Sequence, residues 1–203
     1  MDKQPDEDEP IGKRLRLRRK ALGLTMEQVA AEAGLSIGFI SQIERSITTP
    51  SLTSLANVSR ALGASLGDFF AQPAAEGHLT HSAKREKFSI GDNGLVYERV
   101  SASFPDKMLN SVIIHEPPGY RSEPNSHEGE EIFFILKGAL TLEVEGEVTV
   151  LEVGDSIHFR SSRTHASWNH TSETTSFLHT CTMDIFSEGP NAASAPRKDT
   201  PAK

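Results

Sequence analysis

Residues 25–45, TMEQVAAEAGLSIGFISQIER, constrain this chain more than any other stretch. They read as two short helices around one tight turn. Thr25, with Gln28 three residues on, makes a capping-box pattern: a hydroxyl that caps and an amide that reaches back. Val29, Ala30 and Ala33 fall at helical spacing and give the first helix a small apolar face. Ala33-Gly34 ends it, because glycine takes the left-handed conformation a sharp turn needs. Ser36 caps a second helix with apolar Ile37, Ile40 and Ile43, and its other face carries Gly38, Ser41, Gln42 and Arg45. A short helix with a small polar face, clamped by a partner helix, is what the DNA major groove accepts.

Charge supports that reading once it is divided along the chain. The net charge of −7 argues at first against a polyanionic partner. Residues 1–9, however, hold one lysine and five acids, whereas residues 10–70 hold eight Lys/Arg against four acids. The basic excess coincides with the two-helix motif, and phosphate binding follows the local field. The 203 residues allow one large domain or two small ones. A single cysteine, Cys181, excludes an intrachain disulfide and suits a reducing compartment. The acidic start MDKQPDEDEP lacks the pattern of a signal peptide, and no apolar run approaches the roughly 20 residues of a membrane helix. A soluble, cytoplasmic protein with no membrane partner is expected.

The texture changes along the chain. Residues 1–9 read as a disordered acidic tail. Residues 10–70 read as helices near 10–22, 26–33, 37–45, 51–62 and 66–70. Residues 71–86, AQPAAEGHLTHSAKRE, lack periodicity and read as a linker. Residues 87–186 carry strand-like alternation in GLVYERVSA, LNSVIIHE, EIFFILKG, ALTLEVEG, EVTVLEVG, SIHFR, HASWNH and SFLHTCTMDIF. Short strands broken by Gly and Pro turns predict a small barrel or sandwich. Residues 187–203 read as a disordered tail.

The helical segment resembles the helix-turn-helix of the phage-repressor (Cro/C1, or XRE) family. The resemblance spans about residues 10–70, including IGKRLRLRRKALGLT before the motif and SITTPSLTSLANVSRALGASLGDFF after it. It implies a five-helix, lambda-repressor-like DNA-binding domain. Base-edge contacts would fall to Ser36, Ile37, Gly38, Ser41 and Gln42, with Gln42 suited to an adenine edge. Phosphate contacts would fall to Arg14, Arg18, Arg45, Thr48, Thr49 and Ser51. Met26 stands where the family often has a phosphate-binding glutamine. Such repressors dimerise and read two half-sites, so a homodimer on a palindromic double-stranded operator is implied.

The β segment resembles the cupin superfamily through two motifs. In GYRSEPNSHEGEEIFFILKG, residues 119–138, His127, Glu131 and Gly138 take the second histidine, glutamate and final glycine positions. In GDSIHFRSSRTHASWN, residues 154–169, Gly154, His165 and Asn169 match in register. The resemblance implies a β-barrel of jelly-roll type, giving a chain of mixed α and β domains. Three positions depart: Asn125 replaces the first histidine, and Arg160 and Ser162 replace a proline and a glycine. Cupins normally hold a divalent metal with three histidines and a glutamate. His127, Glu131 and His165 remain, and two imidazoles with a carboxylate suffice for a facial triad. A site for Zn, Ni, Mn or Fe and a metal-free pocket both stay open. Tyr120, Arg121, Asn125, His127, Glu131 and His165 are the expected effector-binding residues. His179 and Cys181 share a strand face with Phe177 and Met183 and read as core.

Together the motifs imply a sequence-specific transcription regulator whose cupin domain senses a small molecule, with the linker as the natural place for change. Two rivals stay open: a mononuclear non-haem epoxidase of similar architecture, and a DNA-binding protein whose cupin only dimerises. The basic helix-turn-helix favours a non-enzyme.

Overall fold

The computed structural model describes residues 10–69, 78–102, 104, 107–183 and 185–186. Both expected tails and linker residues 71–77 lie outside them. Four α-helices come first: α1 (Ile11–Ala21), α2 (Met26–Ala33), α3 (Ile37–Glu44) and α4 (Leu52–Ala61). The expected fifth helix near 66–70 is a single 3-10 turn, Leu66–Asp68. The Asp68 carboxylate accepts from the Ser65 backbone and fixes its start, and Arg14 donates to the Asp68 and Phe69 carbonyls at its end.

The local signals of the motif act as capping chemistry dictates. Thr25 Oγ1 accepts from the Gln28 backbone and Gln28 Oε1 accepts from the Thr25 backbone. Gly34 ends α2 at φ 66°, in the left-handed region. Ser36 Oγ accepts from the Phe39 backbone at the start of α3. Leu15, Val29, Ala30, Ala33, Phe39, Ile40, Ile43, Leu52 and Leu55 bury together as the helical core. Arg19 clamps α1 to α3 through both Glu44 oxygens, with Nη2 at 2.8 Å.

Among the described residues nine strands follow: β1 (Lys87–Phe88), β2 (Val96–Arg99), β3 (Asn110–Glu116), β4 (Glu130–Lys137), β5 (Ala139–Val144), β6 (Glu147–Glu152), β7 (Ser156–Arg160), β8 (His165–Trp168) and β9 (Thr175–Cys181). They form a six-stranded sheet ordered β1-β2-β3-β9-β4-β7 and a three-stranded sheet ordered β6-β5-β8. Residues 120–125 run antiparallel to β8, with backbone bonds between Asn125 and His165 in both directions at 3.0 Å. The inner faces meet over Phe133, Ile135, Leu140, Leu142, Val144, Leu151, Phe159 and Phe177.

The helical and β parts share one continuous core, in which Leu52 and Leu55 of α4 join the same buried cluster as Leu95, Tyr97 and Val112. The Leu52 N–H, at the start of α4 where no intrahelical acceptor exists, donates to Tyr97 Oη at 3.2 Å. Behind Gly34 lies the backbone of Ser126, and a Cβ there would stand 2.4 Å from the Ser126 carbonyl oxygen. Thr49 packs just as closely on Gly91 of the β part.

Candidate ligand pocket and nucleic-acid face

The pocket opens where the two sheets and the helical domain meet. Its empty space, with open solvent at the mouth included, is about 560 Å³. Inward-facing residues of β3, β4, β8 and β9 supply Glu116, Glu131, Phe133, His165, Phe177 and His179. Tyr120, Ser122 and Asn125 come from the segment beside β8, and Ser51, Leu52 and Thr53 from the first turn of α4.

Glu131 is the centre of a buried cluster. Alternation along β4 turns Glu131 inward with Phe133 and Ile135, while Ile132 and Phe134 face out. His179 Nε2 donates to Glu131 Oε2 at 2.8 Å, His165 Nε2 lies 3.0 Å from Oε1 and His127 Nε2 lies 3.7 Å from it. Burial would raise the Glu131 pKa, but the hydrogen bond from His179 and the fields of all three imidazoles outweigh it and hold it at about 2. Burial lowers the His127 pKa, against the opposing pull of Glu131.

The tautomers follow from the outer ring of contacts. His127 Nδ1 lies 2.9 Å from the Glu128 carbonyl and His165 Nδ1 lies 2.8 Å from the Arg163 carbonyl. A carbonyl only accepts, so each Nδ1 carries the proton and each Nε2 presents a lone pair to Glu131. Lone pairs facing a carboxylate require a cation or a proton between them. His127 Nε2, Glu131 Oε1 and Asn125 Oδ1 all lack hydrogen-bond partners although buried. One ligand atom from each of His127, Glu131 and His165 falls within 4.8 Å of the others. Two imidazoles and a carboxylate, with the Asn125 amide oxygen beside them, therefore fit a divalent metal.

Several expected residues are placed elsewhere. Arg121 turns outward, with its guanidinium 4.0 Å over the Trp168 ring and Nη2 3.4 Å from Glu143, because Tyr120 and Ser122 take the inward positions of that segment. His179, read as core, is the hydrogen-bond donor that orients Glu131. His115, also on β3, bonds Glu98 and Ser176 away from the pocket.

On the helical domain, Ser36, Ile37, Gly38, Gln42 and Arg45 are exposed along α3 and Ser41 is half-buried. The recognition face is thus open. The expected phosphate contacts divide. Arg14 donates to the Asp68 and Phe69 carbonyls and Arg18 to those of Leu62 and Gly63. Both guanidiniums cap helix ends, where unpaired carbonyls attract cations. Ser51 caps α4 and lines the pocket rather than facing outward. Thr48 and Thr49 are half-buried, the latter against Gly91.

Comparison with known proteins gives the same division. The Helix-turn-helix family matches residues 15–69 and the Cupin domain family matches residues 112–181. The HTH-type transcriptional regulator PuuR of Escherichia coli (strain K12) is 28% identical over 166 residues, covering 81% of this chain and 90% of that protein. The HTH-type transcriptional regulator SutR of the same strain is 25% identical over 165 residues, covering 80% and 89%. A crystal structure of an HTH_3 family transcriptional regulator from Vibrio cholerae superposes with a TM-score of 0.56 at 24% identity, covering 85% of this chain and 94% of that one. The two-domain fold therefore has a solved counterpart.

Proposed function

We propose that this chain, a helix-turn-helix transcriptional regulator with a C-terminal cupin domain, binds a small-molecule effector in the pocket between its domains and thereby alters its grip on an operator. One observation carries this reading: the first turn of α4, part of the DNA-binding domain, is a wall of the cupin pocket. An occupant of that pocket touches both domains at once. Its differential affinity for two placements of α4 is the coupling free energy such a switch requires. The loop between Asn125 and His127 adds a second link, since Ser126 abuts Gly34 at the turn of the motif.

DNA reading falls to the exposed face of α3, with Ser36, Ile37, Gly38, Ser41 and Gln42 toward base edges and Arg45, Thr48 and Thr49 toward phosphates. One such domain makes few base contacts, so two copies on a palindromic site are required. The outward row Ile132, Phe134 and Leu136 of β4 is exposed and apolar, and suited to a second copy. The protein works in the cytoplasm; among the described residues no helix is long and apolar enough to cross a membrane.

Selection of binding sites from random duplex DNA tests the regulator reading. The enriched sequences carry two-fold symmetry, and Gln42→Ala relaxes preference at one position per half-site at a cost of about 1–3 kcal/mol. Enrichment of no sequence defeats the proposal.

His127, Glu131 and His165 hold a divalent metal in this reading. Elemental analysis of gently purified protein finds near-stoichiometric metal, and His165→Ala loses it. A wild-type protein that is metal-free and takes up none of added Zn, Ni, Mn or Fe removes the metal and leaves an organic pocket.

A further inference from the structure

The pocket holds a second carboxylate that the His/Glu cluster does not touch. Glu116 is 2% exposed. It lies on the inward face of β3 with Val112 and Ile114, where period-two alternation would place an apolar residue. On β9, Glu116 pairs with Thr175 while Glu131 pairs with Cys181. Six residues of strand separate them, on the order of 20 Å of backbone. The two acids therefore belong to opposite ends of one cavity.

Their electrostatic situations differ. Glu131 accepts a hydrogen bond from His179 and shares the candidate metal cluster with His127 and His165. Glu116 Oε1 accepts no hydrogen bond, and Glu116 makes no ion pair among the described residues. Its ionisable neighbours deepen the imbalance. Tyr97 and Tyr120 have pKa values raised first by burial and then by negative neighbours, Glu116 among them. Both are neutral phenols, offering oxygen lone pairs and ring faces. Between the two ends, Ile114, Phe133, Leu142 and Phe177 form an apolar wall.

A buried, unpaired acid facing a cavity needs a counter-charge or a proton. A metal is the poorer occupant, because among the described residues Glu116 belongs to no group of three or more metal-ligating side chains. An ammonium group suits it better. Its N–H donors match one carboxylate and two phenolic oxygens, its charge is favoured near aromatic faces, and its alkyl chain suits the apolar wall.

We propose that Glu116 anchors a positively charged nitrogen of the effector, a primary or secondary alkylammonium, at the end of the pocket next to α4. The assignment rests on the effector-pocket reading above and names its ligand class. Tyr97 ties the two together, since its hydroxyl accepts from the first N–H of α4 beside the proposed ammonium. A ligand donating to that oxygen competes with α4 for it.

The test is calorimetric titration of the full-length protein with linear alkylamines and α,ω-diamines, and with alcohols and carboxylates of equal chain length as controls. The amines bind and the controls do not. Glu116→Gln, isosteric and uncharged, weakens amine binding roughly tenfold to a hundredfold, the loss of one charge-assisted hydrogen bond in a buried site. Operator affinity is read alongside with and without amine. Amine binding that survives Glu116→Gln unchanged overturns the assignment, since it then occurs elsewhere on an acidic protein. If alcohols or carboxylates bind in place of amines and shift operator affinity, the ammonium falls and the effector pocket stands. If no probe of any class binds or alters operator affinity, both fall.

Discussion

Glu116→Gln melts above the wild-type protein, and the gap widens with pH. An unfolded chain ionises Glu116 near its ordinary value of 4.5, whereas burial raises it to about 8 in the folded protein, with a backbone hydrogen bond at Asn169 offsetting part of the rise. Below the lower value both states hold the proton and the two proteins differ little. Between the two values the unfolded chain releases a proton that the folded chain keeps, so wild-type stability falls relative to the variant. Above the upper value both states are ionised and the gap is constant. Each pKa unit is worth about 1.4 kcal/mol, which sets a ceiling of about 5 kcal/mol. Relaxation at the pocket mouth reduces it to about 2–3 kcal/mol. Urea denaturation near pH 5, 7 and 9 checks it, and parallel stability of both proteins across that range would disprove the buried, uncompensated acid. A residue whose removal stabilises the fold is one that function retains.

The second large effect is at Gly34. Gly34→Ala destabilises the protein more than Gly23→Ala, although the two glycines have nearly equal φ, 66° and 67°. Both substitutions force an L side chain into the left-handed region, at about 1–2 kcal/mol. At Gly23 nothing stands within 4 Å of the new Cβ, whereas at Gly34 the Ser126 carbonyl oxygen stands at 2.4 Å. Backbone must move, which adds about 1–3 kcal/mol. The difference between the variants isolates the contact between the motif and the pocket loop. Equal denaturant midpoints would mean that the contact contributes nothing. Because Ser126 lies between Asn125 and His127, Gly34→Ala also weakens metal retention.

The helical half was legible because its signals are local. A hydroxyl, an amide and a glycine within ten residues determine where α2 starts, where it stops and where α3 begins. Glu131 was legible through the cupin motif it matches. Glu116 carried a different signal, an acid in phase with Val112 and Ile114 in LNSVIIHE, and reading it required only the period of two. His179 was visible as an inward residue, yet its role depends on the pairing of β4 with β9, 48 residues apart, which no local pattern records. The shared wall was illegible for the same reason. Arg14, Arg18 and Ser51 have the residue types of phosphate contacts, and only the packing of α1 and α4 shows that they close helix ends.

The first turn of α4 has a consequence for how proteins of this plan diversify. A helix-turn-helix and a cupin look like cassettes that recombination could exchange freely. Here Ser51, Leu52 and Thr53 belong to the helical domain and wall the cupin pocket, and Leu52 is anchored by a hydroxyl from the other side. Transplanting either half alone leaves a hole where the other provided a wall. Under the function proposed above, inheritance of ligand preference and of operator preference is linked through three residues, and a lineage that retunes one must repair the other.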